Sequence, residues 1–176
     1  MPQSTEQQIR PGKLLQTNAE VVVVCDEEIA FAYISGNSEL STWLTKCGPI
    51  AGAKNVEVIA GPYTKPGAIR KVVFEDGNSV TEELISYSPF SGYTYSVSHF
   101  SNFFRYLTAK VYAQLWFDKL DDTTRIKWVY SFTYKNVAAK IFISLFLPLF
   151  YKKFMQQALD TAKLQMEKTK PVSNAG

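Results

Sequence analysis

Histidine and cysteine are nearly missing from this chain. His99 is the only histidine, and Cys25 and Cys47 are the only cysteines in 176 residues. Neither cysteine sits in a C-x-x-C pair, so the composition argues against a Cys/His zinc site, and no metal is expected. A Ser-His-Asp or Cys-His mechanism would have to run through His99 alone. A run of like charge is also lacking. The formal charge is only +3, with Lys and Arg scattered, which is no footprint for nucleic acid. No Gly-rich phosphate loop is present, because "GPIAGAKN" lacks both the lysine placement and a strand before it. No cofactor is implied. The opening "MPQSTEQQIRPGKLLQ" has no apolar core of a secretory leader. With two unpaired thiols, it reads as a reducing, cytoplasmic setting.

Long apolar runs are scarce as well. The one that invites a membrane reading is "VAAKIFISLFLPLFY", Val137 to Tyr151. It falls short of the ~20 residues of a spanning helix, is interrupted by Lys140 and is closed by Lys152-Lys153. It reads as a buried helix of the core.

What the chain does have is apolar and aromatic mass. Apolar residues make up 46% and aromatic rings 14%, with 12 Phe and 10 Tyr. That suits one domain with a sizeable core, and the rings fit either a packed interior or the wall of a cavity. Residues 1–17 read as a polar tail, 18–168 as a single domain and 169–176 as a second tail. Within the domain, "AEVVVVCD" reads as a strand, and "DEEIAFAYISG" and "NSELSTWLTKCG" as short helices. "KNVEVIAG" is a second strand. Five more strands follow, over Ala68–Glu75, Ser79–Tyr87, Tyr93–His99, Thr108–Lys119 and Thr123–Tyr134. The stretch from about Asn136 to Glu167 is one long helical pattern with Pro148 inside it, where a kink or break is expected. Tight turns between successive strands predict an α+β fold: an antiparallel meander of about seven strands, covered by the long C-terminal helix.

The hairpins allow a register. A two-residue turn at Asp76-Gly77 sets Lys71 opposite Glu82 and Arg70 opposite Glu83. In the next strand Tyr93, Tyr95, Val97 and His99 are large and alternate with small polar residues, so they should face inward. With Tyr87 opposite Tyr93, Glu83 meets Val97, and Arg70 and Glu83 fall on the inner face. Lys71 and Glu82 then face water. A two-residue turn at Asp121-Asp122 pairs Phe117 with Ile126, Leu115 with Trp128, Ala113 with Tyr130 and Val111 with Phe132. Asp118 and Arg125 pair on the outer face. An inward charge is costly unless paired. The Arg70–Glu83 pair is therefore either a structural ion pair or a polar anchor inside a ligand cavity.

The stretches "GAIRKVVFEDGNSVTEELISYSPFSGYTYSV", "TRIKWVYSFTY" and "FYKKFMQQALDTAKLQME" resemble the helix-grip fold of the START/Bet v 1-like (SRPBCC) superfamily, in its polyketide cyclase/dehydrase-like branch. The resemblance spans roughly residues 19–167. It implies a curved sheet wrapped around the C-terminal helix with a hydrophobic cavity between them. It also implies a small hydrophobic ligand such as a lipid or polyketide. On that resemblance Arg70 and Glu83 match the polar pair of the cavity. Tyr95, Trp128, Tyr130 and Phe132 match its wall, joined by Val97 and Leu115 from the same inward face. The loop "FSNFFRYL" would form a lid through Phe100, Phe103, Phe104 and Tyr106. Three functions remain open: a ligand-binding protein, a cyclase/dehydrase-type enzyme with Glu83 or His99 as acid–base candidates, and a lipid carrier that docks on membranes. The chain departs from the family in the apolar "IFISLFLPLF", which fits a cavity lining, a homodimer face or a membrane contact.

Overall fold

The computed structural model describes residues 14–168. Strands β1 (Leu15–Val23), β2 (Ala53–Ala60), β3 (Ile69–Phe74), β4 (Ser79–Ser88), β5 (Gly92–Ser98), β6 (Val111–Leu120) and β7 (Thr123–Phe132) form one antiparallel sheet. Its order is β1-β7-β6-β5-β4-β3-β2. Between β1 and β2 lie α1 (Glu27–Ser35) and α2 (Leu40–Trp43), and α3 (Phe104–Leu107) interrupts the β5–β6 connection. The chain closes with α4 (Val137–Phe146), a π turn (Leu147–Tyr151) and α5 (Lys152–Lys168). This is the helix-grip architecture anticipated from the strand count and the tight turns. One boundary differs. β1 begins at Leu15, inside the stretch expected to be tail, and residues 1–13 and 169–176 lie outside the described residues.

The closing helix grips the sheet through one stripe. Phe154, Met155, Ala158, Leu159, Ala162 and Met166 are all buried, at the three- and four-residue spacing of one helical face. α5 packs along β1, an edge strand whose outward backbone groups would otherwise be unpaired. Side chains of α5 reach three backbone groups along this edge. Gln156 and Lys163 donate to the Glu20 and Val22 carbonyls at 3.1 and 2.9 Å, and Val24 N–H donates to Glu167 at 3.0 Å.

Pro148 does not break the helix. It has no N–H to offer the preceding turn, and the helix widens into the π turn instead. The expectation that Val137–Tyr151 forms a buried core helix is corrected here. Ala139, Ile143 and Leu147 are buried, while Val137, Ile141, Phe142, Leu145, Leu149 and Phe150 are exposed. No helix among the described residues is long and apolar enough to cross a membrane.

The β6–β7 hairpin has the expected register, from Leu120↔Thr123 through Val111↔Phe132. Asp118 and Arg125 pair on its exposed face at 2.8 Å. The β3–β4 hairpin does not. Val72 faces Val80, so the loop has three residues, Glu75 to Gly77. Gly77 N–H donates to the Phe74 carbonyl at 3.0 Å and Phe74 N–H to the Asn78 carbonyl at 2.8 Å. Gly77 takes a left-handed φ of 81° as the residue that returns the chain to the strand. A bulge between Leu84 and Ser86 adds a second slip against β5, while Tyr87 still faces Tyr93.

Two glycines separate conformational from steric demand. At Gly77 a methyl group would meet nothing within 4 Å, so Gly77→Ala costs only its left-handed backbone, about 1–2 kcal/mol. At Gly92 a methyl group would lie 2.3 Å from the Leu115 carbonyl oxygen. Urea unfolding is expected to show a clearly larger loss for Gly92→Ala than for Gly77→Ala; equal midpoints would contradict the close approach of β5 and β6.

Candidate functional site

The slipped register decides which acid faces inward. Arg70 lies opposite Glu82, not Glu83. Both are buried, at 2% and 6% exposure, whereas Glu83 is exposed on the outer face. The expectation of an inward Arg70–Glu83 pair is thus corrected: the three-residue turn moves β4 by one position, and a one-residue shift exchanges the two faces of a strand. Lys71, on the other face, reaches Glu57 at 3.5 Å.

Arg70 is held on several sides. Its Nε and Nη2 both meet Glu82 Oε2 at 2.8 Å, and Nη1 donates to Asn37 Oδ1 at 2.8 Å. The Tyr63 ring lies 3.9 Å from the guanidinium carbon, a close cation–π contact. Burial works against the cation, but the Glu82 carboxylate and nearby tyrosines outweigh it, and the guanidinium stays above its ordinary value. Asn37 lies just before α2 and does not cap it. It serves instead as the link between the α1–α2 turn and this pair.

Glu82 lines a cavity of about 390 Å³ between the sheet and the C-terminal helix. Trp128, Tyr130 and Phe132 of β7, with Val97 of β5, supply part of its wall. Tyr151 of the π turn packs edge-on against Tyr130 and Phe132 at 5.2 and 5.1 Å. Tyr95 and Leu115 are buried but stand behind this wall, as does Arg70. The Tyr95 and Tyr130 hydroxyls bond each other at 2.9 Å. The Trp128 indole N–H is buried without a hydrogen-bond partner.

Of the expected lid residues, Phe100, Phe103 and Phe104 line the cavity, while Tyr106 is exposed and turned toward Arg105. Phe103 and Phe142 both line the cavity and reach solvent, which locates its mouth between α3 and α4. His99 was expected on the inner face. It lies past the end of β5 in a left-handed turn (φ 51°), exposed, with Nδ1 3.0 Å from Ser98 Oγ. It is not part of the cavity wall.

Further wall residues include Phe142 and Phe146, from the apolar stretch read as fitting a cavity lining, and Phe154 and Val80, which were not anticipated. Phe142, Phe146 and Phe154 come from the helix, and Val72, Phe74 and Val80 from β3 and β4. Val72 and Phe74 share the inner face of β3 with Arg70 in either register, and Val80 turns inward with Glu82 once β4 moves by one position. Phe154 had only the aromatic repeat at four-residue spacing as a signal.

Two outcomes test this geometry. Truncating either member of the buried pair, by Arg70→Ala or Glu82→Ala, is expected to cost about 3–5 kcal/mol, because the partner charge is left buried and alone. Glu83→Ala on the exposed face is expected to stay within about 0.5 kcal/mol. Chemical denaturation of the three variants ranks them, and a sensitive Glu83 with an indifferent Glu82 would restore the other register.

The second concerns Tyr63, Tyr93, Tyr95, Tyr130 and Tyr151, whose phenols burial pushes above their ordinary value. Above about pH 10 the unfolded chain gives up these protons and the folded chain keeps them, so stability falls as pH rises. Phenolate absorbance from these five is expected to appear together with loss of secondary structure. An earlier rise, in a chain still folded, would mean that they are not sealed from water.

Among solved structures the chain is similar to Ara h 8.0201, at 18% identity and a TM-score of 0.63 over 88% of this chain and 99% of that one. It is also similar to a norcoclaurine synthase of Thalictrum flavum solved with a transition-state analogue (14%, TM-score 0.62, 88% and 95%). A third is the protein XoxI of Bacillus cereus (22%, TM-score 0.61, 86% and 97%). No family model and no curated protein matches the sequence. At these identities the likeness establishes the Bet v 1-like helix-grip fold.

Proposed function

We propose that this protein binds a small, compact and largely apolar molecule in the cavity between sheet and helix, with a hydroxyl or amine of the ligand donating to Glu82. The carrying observation is the contrast within the wall. It is built mainly of rings and aliphatic side chains, yet it contains the carboxylate of a buried ion pair. A buried pair rarely adds stability over an apolar pair of equal volume, so stability alone is a weak reason to keep one. Both guanidinium contacts fall on Oε2, so Oε1 takes none from Arg70, and the buried Tyr63 phenol is the other polar group beside the carboxylate. Arg70 stands behind Glu82 and fixes its orientation. A volume of about 390 Å³ falls at the lower end of small-molecule sites, which favours a compact ligand over a two-chain lipid.

A second reading uses the same cavity for acid–base chemistry of the cyclase/dehydrase kind. It is favoured by the Glu82 carboxylate in an apolar chamber whose wall also includes Tyr130, its hydroxyl bonded to that of Tyr95. It no longer involves His99 or Glu83, which lie outside.

Val97→Trp tests the binding reading. Val97 is buried at the cavity wall, and an indole there occupies the chamber. The expected outcome is a variant that still folds, because the added volume has somewhere to go, and that loses uptake of anilinonaphthalene sulfonate or of any molecule seen on the wild type by native mass spectrometry. If the interior were packed solid, the same change would be overpacking. It would cost about 1–3 kcal/mol, and the wild type would take up no probe at all.

A further inference from the structure

We infer that the chain docks on anionic membrane surfaces through the outward face of α4 and the π turn, with the cavity mouth turned toward the lipid. This does not depend on what the cavity holds.

A helix that packs on a protein normally hides its apolar stripe and shows polar residues to water. α4 and the π turn do both at once: an inner stripe is buried, and the outer face is apolar too. Val137, Ile141, Leu145 and Leu149, spaced by four, are 72%, 58%, 60% and 56% exposed. Ser144 lies within this face and spends its hydroxyl on the Lys140 carbonyl at 2.7 Å, so it makes no demand for water. Beside the stripe, Phe142 meets the exposed Phe103 of the α3 loop edge-on at 5.5 Å. The patch therefore reaches the cavity mouth, which these two rings line.

Charge selects the occupant. Arg105, Lys135, Lys140, Lys152 and Lys153 are exposed around the patch. The sequence has no Asp or Glu from 84 to 117, nor from 123 to 159, and both α3 and the α4–π segment fall within these stretches. Among the described residues that line the cavity, the acids are Glu82 and Asp76, the latter on the β3–β4 turn. A second copy placed face to face would set lysines against lysines, so the basic rim disfavours a symmetric dimer. A leaflet of anionic lipid satisfies both features: headgroups meet the rim, and the apolar face enters the interface.

The test is co-sedimentation of the full chain with phosphatidylcholine vesicles, with and without phosphatidylserine. Binding is expected with the anionic vesicles and is expected to weaken in high salt. Ile141→Glu with Leu145→Glu should abolish it at unchanged unfolding midpoint, since both side chains are exposed. Independently, Lys152→Ala with Lys153→Ala should weaken it about fivefold per charge removed. The cavity-filled Val97→Trp should bind vesicles as the wild type does. Three outcomes would overturn the inference: no sedimentation with either vesicle; sedimentation that the two glutamates leave intact; or a dimer in light scattering that those glutamates dissociate, without vesicle binding.

Discussion

Everything at the centre of this protein is arranged around one buried charge. Arg70 points into a space made of rings, where an unpaired guanidinium would be prohibitively costly. Its neighbours divide the task. Glu82 neutralises it from the adjacent strand, Asn37 accepts from a third nitrogen, and Tyr63 covers its face. These partners come from β4, from the turn between α1 and α2, and from the loop before β3. The pair therefore fastens the helical insertion to the far half of the sheet. It also fixes the position of the carboxylate that the cavity displays.

That arrangement explains why one residue of register matters so much. "EDGN" supports either a two-residue turn at Asp76-Gly77 or a three-residue turn that ends on Gly77. The sequence offers a glutamate for each, since Glu82 and Glu83 are neighbours. Alternation cannot separate them, because the Leu84–Ser86 bulge lets both Leu84 and Tyr87 turn inward on odd spacing. Where no bulge intervenes, as between β6 and β7, pairing by opposed residue types gave every partner from Leu120↔Thr123 to Val111↔Phe132. The fold was legible because it depends on strand count and short turns. The acid of the site was not, because it depends on a backbone detail that either spelling of the turn permits.

The cavity and the outer face of α4 share a boundary. Phe103 and Phe142 belong to both, and they sit where an apolar ligand would pass between solvent and interior. A mouth rimmed by rings that already tolerate exposure has little to lose from contact with an apolar medium. The interior was less easily read from sequence on this side. From sequence, the stretch with Phe142 and Phe146 fits a cavity lining, a dimer face or a membrane contact alike, and Phe154 looks like a core residue of any amphipathic helix.

The π turn has a consequence for how the closing helix is phased. Up to the start of the π turn the buried positions are Ala139, Ile143 and Leu147; in α5 they are Phe154, Met155, Ala158, Leu159, Ala162 and Met166. On one uninterrupted α-helix these two sets would diverge around the axis by about 100°, the rotation of a single residue. The extra residue in Leu147–Tyr151 absorbs that difference, so both sets meet the same sheet. The segment acts as a phase adjuster between two helices written in different frames. Replacing Pro148 alone would leave that mismatch in place, because the frame offset is distributed along both helices and not stored in the proline.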